Sequence, residues 1–195
     1  MSFSNIVSVS LIAIFAENLI FGQALGVTPF LKNSANVKDA VKTGLSVTLA
    51  MLFLAICSRV ADRLIIVPLG LEYMRTVIFV LIISGSLTAG EIIIKRKFPA
   101  FAEKTEVSPY YVAVNTAILG IMLITTNGNR NFLSSVIYAL GSGIGFTMAI
   151  TLFAAVRERL EYSEEPKFLE GIPMVLITAG LIALAFSGFQ GITFM

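Results

Sequence analysis

Apolar residues in this chain fall in blocks longer than a soluble helix requires. Residues 107–129, 131–156 and 171–195 contain no Asp, Glu, Lys or Arg. Each can cross a hydrocarbon core of about 30 Å, which takes about 20 residues of helix. The charge-free runs 1–16, 43–58 and 76–90 are shorter, but apolar neighbours with single charges extend them. The pattern predicts six helices, near 5–27, 41–61, 69–95, 107–127, 131–157 and 171–192. A helix closes its own backbone hydrogen bonds in lipid, and no β-barrel alternation is visible. The expected fold class is an all-α integral membrane protein, one membrane domain over 1–195 with short connections. The start, MSFSNIVSVSLIAIFAENLIFG, lacks a basic leader and an A-x-A-like exit, so it reads as a retained span.

Basic residues sort by side. The connections after helices 1, 3 and 5 hold Lys32, Lys38, Lys42, Lys95, Arg96, Lys97, Lys104, Arg157, Arg159 and Lys167. The other side holds only Arg59, Arg63, Arg75 and Arg130. Positive charge collects in the cytoplasm, so both termini are expected outside. The acidic run Glu161, Glu164, Glu165 leaves this unchanged, because acids contribute little to the rule. Trp is absent, so Tyr73, Tyr110, Tyr111, Tyr162 and the Phe residues must supply the interfacial belt.

Composition narrows the chemistry. The 195 residues are 56% hydrophobic and 13% charged, with a net charge of +2, too little to suggest nucleic acid. Histidine is absent, which removes the usual general base and the commonest zinc and haem ligand. The single cysteine, Cys57, excludes an intrachain disulfide, a CxxC pair and a self-contained iron–sulfur cage. No active site of its own is expected.

Two features point to an internal repeat. Leu87-Thr88-Ala89-Gly90 in helix 3 recurs as Ile177-Thr178-Ala179-Gly180 in helix 6. With three helices per half (about 1–100 and 101–195), the second copy must enter from the opposite face, an inverted repeat typical of transporters. Helix 1 carries Gly22-Gln23-Ala24-Leu25-Gly26-Val27-Thr28-Pro29-Phe30 near its end. One reading is a broken helix whose unwound backbone lines a site, with Pro29 pushing Thr28 out of the helical region. The other is a helix that ends near Gly26, its glycines packing closely against a neighbour. The counterpart of the break falls in helix 4, at Asn115-Thr116.

Ionisable groups inside the spans are few. Glu17, about halfway along helix 1 beside Asn18, reads either as a proton- or sodium-binding carboxylate or as a neutral, hydrogen-bonded or ion-paired side chain. Glu91 is followed four residues later by Lys95, a favourable helical pair, or it snorkels to the interface. Arg75 anchors helix 3 or pairs with Asp62 or Glu72. Gly141 and Gly145 form a GxxxG that reads as helix packing. Asn127-Gly128 marks an outer turn, and Arg157-Glu158-Arg159 with the acidic run to Glu170 forms either a docking loop or a solvated face.

At these residues the chain resembles the A-type membrane protein of the Rnf complex, the ion-translocating ferredoxin:NAD oxidoreductase (Rsx in some bacteria). It also resembles the D- and E-type membrane proteins of the sodium-pumping NADH:quinone oxidoreductase. The resemblance spans essentially the whole chain. It is carried by Leu25-Gly26-Val27-Thr28-Pro29-Phe30, by Ile66-Val67-Pro68-Leu69 with Tyr73-Met74-Arg75-Thr76, and by Asn115-Thr116-Ala117-Ile118-Leu119-Gly120. Gly145-Phe146 through LFAAVRERL (152–160) and LITAGLIALAF (176–186) complete it.

The resemblance implies six helices in two inverted halves with broken helices 1 and 4, in a bacterial or archaeal cell membrane. It implies a homologous subunit of opposite orientation (E-type) as partner, and other Rnf-type subunits that carry flavin and iron–sulfur centres. In that family, helices 1 and 4 each bring a cysteine to mid-membrane, and two from each member of the pair hold a [2Fe–2S] cluster. Here the family's GLCPF is GVTPF and its TNCAVLG is VNTAILG, so the ligand positions are Thr28 and Thr116, flanked by Gly26, Pro29 and Asn115. Threonine is a neutral, hard donor, so no thiolate ligation by this chain is expected. Glu17 stands where the family usually has asparagine. The expected function is a subunit of a redox-driven translocase that moves Na⁺ or H⁺. Its complex is clusterless here, holds the cluster on partner chains, or keeps this chain as scaffold or ion path. A small stand-alone secondary transporter, with Glu17, Thr28, Asn115 and Thr116 as site groups, is the alternative, and a purely structural assembly component is a third.

Overall fold

The computed structural model describes residues 3–32, 34, 36–97, 115–127, 131–162, 169 and 171–190. Residues 107–114 of the expected fourth span, with Tyr110 and Tyr111, the Gly128 turn and most of the acidic loop lie outside the described residues. So do the side chains of Glu91 and Lys95, although their backbone is helical.

Every regular element among the described residues is helical. Helix α1 (Phe3–Leu11) runs on as a π-helix, Ile12–Ala16, and a short α2 follows at Val27–Lys32. Helix α3 (Val37–Ala61) also ends in a π-turn, Asp62–Ile66. A 3₁₀ turn, Glu72–Met74, leads into α4 (Arg75–Lys97). Then come α5 (Thr116–Asn127), α6 (Phe132–Leu160) and α7 (Ile172–Ser187). Three stretches, Val37–Ile66, Glu72–Gly90 and Phe132–Leu160, are long and apolar enough to cross a membrane, and Ile6–Ala16, Thr116–Asn127 and Ile172–Ser187 are shorter apolar helices. The ends follow local chemistry. Asp39 lies in the first turn of α3 and Arg59 in its last, both favoured by the helix dipole. Gly171 at φ 85° and a proline in the first turn open α7.

One expectation for helix 1 is corrected. Hydropathy predicts helix to residue 27, but regular helix stops at Ala16, and residues 17–26 form turns. Nor does Pro29 expel Thr28 from helical geometry: it sits third in α2, where its missing N–H has no intrahelical acceptor anyway. Proline starts a helix here instead of ending one.

Helices α3 and α6 form the centre and cross at two glycine–threonine pairs. A Cβ on Gly44 would lie 2.7 Å from Thr147 Cγ2, and one on Gly143 would lie 2.6 Å from Thr48 Cγ2. The Thr48 hydroxyl lies 2.8 Å from both the Gly44 and Gly143 carbonyl oxygens and 3.0 Å from the Thr147 hydroxyl. Gly141 and Gly145 bring α6 onto the first helix, where added Cβ atoms would meet Ala13 Cβ at 3.0 Å and the Ile14 carbonyl at 2.9 Å. The GxxxG therefore serves packing, as expected. The core fills around this seam with Ala13, Leu54, Ile121, Tyr138, Phe146 and Phe153.

Helix α4 sits at the edge of that core, to which it gives Phe79 and Ile83. Only 12% of its most apolar window is buried, against 56% for α6. Among the described residues, a Cβ on Gly85, Gly90 or Gly180 would meet nothing within 4 Å, so the repeated Thr-Ala-Gly motifs present open glycine faces on α4 and α7. The two ends are tied by charge. Arg75 Nε lies 2.8 Å from Asp62 Oδ1 and its Nη1 donates to Asn127 Oδ1 at 2.6 Å, so of its two candidate partners Asp62 is the one bound. At the other end Arg157 donates to the Leu31 carbonyl and to Ser34 Oγ, while Glu158 Oε1 accepts the Val37 N–H at 2.8 Å. These two side chains belong to the last turn of α6 and hold the connection between α2 and α3, so neither reading of a free loop applies to them.

Candidate functional site

The interruption in the first helix is built by Asn18, which is fully buried. Its Nδ2 donates to the Ile14 carbonyl at 3.0 Å and to the Gly145 carbonyl at 3.1 Å. Its Oδ1 accepts the N–H groups of Ile20 and Phe21. The side chain thus supplies the partners that a straight helix would have found in its own backbone, and each such bond contributes about 1 kcal/mol net. Beyond it the chain turns through Gly22 N–H to Asn18 O (2.8 Å) and Leu25 N–H to Leu19 O (2.7 Å). Ala24 takes φ 53° and Gly26 φ 78°. A left-handed alanine costs about 1–2 kcal/mol, and strain of this kind gathers at functional segments.

Gly26 is where the two halves of the sequence meet. Its N–H donates to Thr116 Oγ1 at 2.9 Å, across 90 residues. An added Cβ there would lie 2.8 Å from Phe146 Cε2 and 3.0 Å from both Ala117 Cβ and Asn115 Oδ1. Glycine is required twice over, for its φ and for the approach. Next to it, Leu25 packs on Gly120, where a Cβ would meet Leu25 Cδ1. Asn115 is 2% exposed and its Oδ1 accepts the Ala117 N–H at 3.0 Å, starting α5; its Nδ2 is buried without a partner among the described residues. Phe30 anchors α2 by stacking on Phe153 at 4.4 Å.

The expected site residues therefore divide. Gly26, Asn115 and Thr116 converge, and Thr28 and Thr116 are both exposed on the surface of this chain. Pro29 belongs to the first turn of α2. Glu17 closes the π-helix, its N–H on the Ile12 carbonyl, and its Oε2 accepts the Tyr138 hydroxyl at 2.5 Å. Asn18 frames the break. Glu91 is placed only by its backbone, in α4. Sequence reasoning missed Tyr138 and Phe146. A tyrosine inside the charge-free run 131–156 was the available signal for the first; nothing local marked the second.

Residues 6–193 match the family described as Rnf-Nqr subunit, membrane protein. In Acetobacterium woodii, the A component of the Na(+)-translocating ferredoxin:NAD(+) oxidoreductase complex is 41% identical over 179 residues, covering 92% of this chain and 93% of that protein. In Syntrophotalea carbinolica, the A component of the ion-translocating oxidoreductase complex is 34% identical over 188 residues, 96% of this chain and 97% of its own length. The protein of that name from Aeromonas hydrophila is 34% identical over 179 residues, 92% and 93% of the two chains. With a family match over nearly its whole length and relatives covered almost end to end, this chain belongs to the Rnf-Nqr family of membrane subunits.

Proposed function

We propose that this chain is the A-type membrane component of an Rnf-type complex, which couples electron transfer between ferredoxin and NAD to movement of Na⁺ or H⁺. In this reading it spans the membrane six times in two inverted halves, both ends outside, and works beside a homologous protein of opposite orientation. The observation that carries the reading is the Gly26 N–H on Thr116 Oγ1, which joins the break in the first helix to the start of α5 beside two exposed threonines. The reciprocal crossing of α3 and α6 supports the inverted halves: Gly44-x₃-Thr48 meets Gly143-x₃-Thr147, glycine to threonine in both directions. Thr48 lies eleven residues into α3, about 16 Å along the axis, near the middle of a core of about 30 Å. The open glycine faces of α4 and α7 support a partner chain packed alongside.

The residues present do not fit a [2Fe–2S] cluster. Thr28 and Thr116 offer neutral hydroxyls in place of thiolates, and the Thr116 oxygen already accepts the Gly26 N–H. No electron step is routed through this site; flavin and iron–sulfur groups belong to partner chains in this reading. What the chain's own residues supply is a broken helix and a carboxylate. Holding Glu17 ionised inside a membrane costs at least about 2.5–3.5 kcal/mol on insertion scales, which the Tyr138 hydroxyl offsets in part. Glu17 is the ion-handling group of the proposal, Asn18 the strut that keeps the break open, and Glu91 a group toward the basic end of α4. Coupling requires that the two packings of the halves bind the ion with different affinity.

The test is isolation of the tagged chain from its own membranes, followed by vesicle transport. Flavin- and cluster-bearing partners should co-purify, and Glu17→Gln, which keeps an acceptor for Tyr138, should abolish redox-driven ion uptake with the complex intact. A chain that purifies alone and moves ions without a redox partner refutes the proposal in favour of a stand-alone transporter.

A further inference from the structure

We propose that the groove between α3 and α6 is a binding site for one anionic phospholipid, its acyl chain in the groove and its phosphate on Arg159. The groove has a volume of about 680 Å³ and is lined by Leu45, Ile144, Met148, Leu152, Val156 and Arg159, with three threonines and one alanine between them. The threonines do not make it polar. Thr151 Oγ1 donates to the Thr147 carbonyl at 2.7 Å, Thr147 Oγ1 to Gly143, and Thr48 Oγ1 lies against Gly44 and Gly143. What faces the groove is methyl and methylene surface.

Size and direction select an acyl chain. A volume of this order belongs to small-molecule sites, about 300–1,000 Å³, whereas a helix with its side chains is about 10–12 Å across. From Ile144 to Arg159 the lining follows α6 for fifteen residues, about 22 Å, so a chain entering at Arg159 reaches past the middle of a core of about 30 Å. At its inner end the groove is lined by Thr48, Thr147 and Ile144.

Charge selects the headgroup. The basic end of the helix pair carries Lys38, Lys42, Arg157 and Arg159. Arg157 is turned inward to Leu31 and Ser34, and Lys42 lies 3.6 Å from Asp39. Glu158 is engaged by the Val37 N–H. Arg159 is exposed and makes no side-chain hydrogen bond or ion pair among the described residues, so a guanidinium fork stands open at the groove mouth. That fork matches the oxygens of a phosphate. The proposal needs only the membrane setting of the family and stands whether or not the chain pumps ions.

The assay is native mass spectrometry of the intact complex in detergent, titrated with dioleoyl phosphatidylglycerol or dioleoyl phosphatidylcholine. Wild type should retain the anionic lipid in preference. Arg159→Gln should lower that preference roughly fivefold, the weight of one interfacial arginine, and Arg159→Lys should keep most of it. Ala155→Phe, which fills the groove, should remove one adduct of either lipid; if that variant does not assemble, the Arg159 pair decides alone. An Arg159→Gln complex with unchanged lipid preference overturns the headgroup assignment. A Leu152→Cys variant (with Cys57→Ser) that cross-links to a helix of a neighbouring chain shows a protein occupant and overturns the site.

Discussion

Replacing Gly26 by alanine tests the meeting of the two halves directly. The main chain there has φ 78°, which costs an L-residue about 1–2 kcal/mol. The new Cβ would lie 2.8 Å from Phe146 Cε2 and 3.0 Å from Ala117 Cβ and Asn115 Oδ1. Phe146 is fully buried and has little room to retreat, so overpacking adds about 1–3 kcal/mol. Together Gly26→Ala should destabilise the fold by roughly 2–5 kcal/mol. The two causes separate in a double-mutant cycle. Phe146→Leu alone leaves a cavity worth about 1–2 kcal/mol, but in the Gly26→Ala background it removes the nearest clash while the φ cost stays. The pair should then couple by about 1 kcal/mol or more, against near-additivity for unrelated sites. Far-ultraviolet circular dichroism of reversible unfolding in mixed dodecyl maltoside and SDS micelles reads all four proteins. A Gly26→Ala change within about 0.5 kcal/mol of wild type, the size of an ordinary surface substitution, or a strictly additive pair, would refute the geometry.

Two further outcomes use the same unfolding assay. Arg75→Gln strands Asp62, which is 8% exposed. Breaking a buried pair costs about 3–5 kcal/mol, and the partial exposure of both side chains lowers the expectation to about 2–3 kcal/mol; Asp62→Asn combined with Arg75→Gln should cost less than the two changes summed. Thr48→Val removes the hydroxyl at the α3–α6 crossing without changing shape and should cost about 0.6 kcal/mol, at most about 1.7. Thr48→Ser, which keeps the hydroxyl and loses only the methyl packed on Gly143, should retain that bond's share, and a Thr48→Val protein as stable as wild type would show that the hydroxyl contributes nothing.

The membrane character, the helical class and the approximate positions of α3 to α7 follow from the chain itself, because hydropathy and span length are properties of consecutive residues. The family was equally legible, in Leu25-Gly26-Val27-Thr28-Pro29-Phe30 and LITAGLIALAF. So was the packing role of Gly141 and Gly145, whereas Arg75 had two candidate acids in the sequence and the structure pairs it with Asp62 and with Asn127. Tertiary structure decided where the first helix stops. Glycines and a proline pointed to residues 22–30, yet the helix ends at Ala16, because Asn18 is held by the Gly145 carbonyl 127 residues away. The same holds for Glu17 and Tyr138, and for Gly26 and Thr116. A polar group in lipid takes whichever partner the packing brings, and that partner is invisible to any window of neighbouring residues. Burial also separated the central α3 and α6 from the outlying α4, although all three read as similar apolar runs. Hydropathy tells a helix to leave water; only contact with other helices tells it which face to hide.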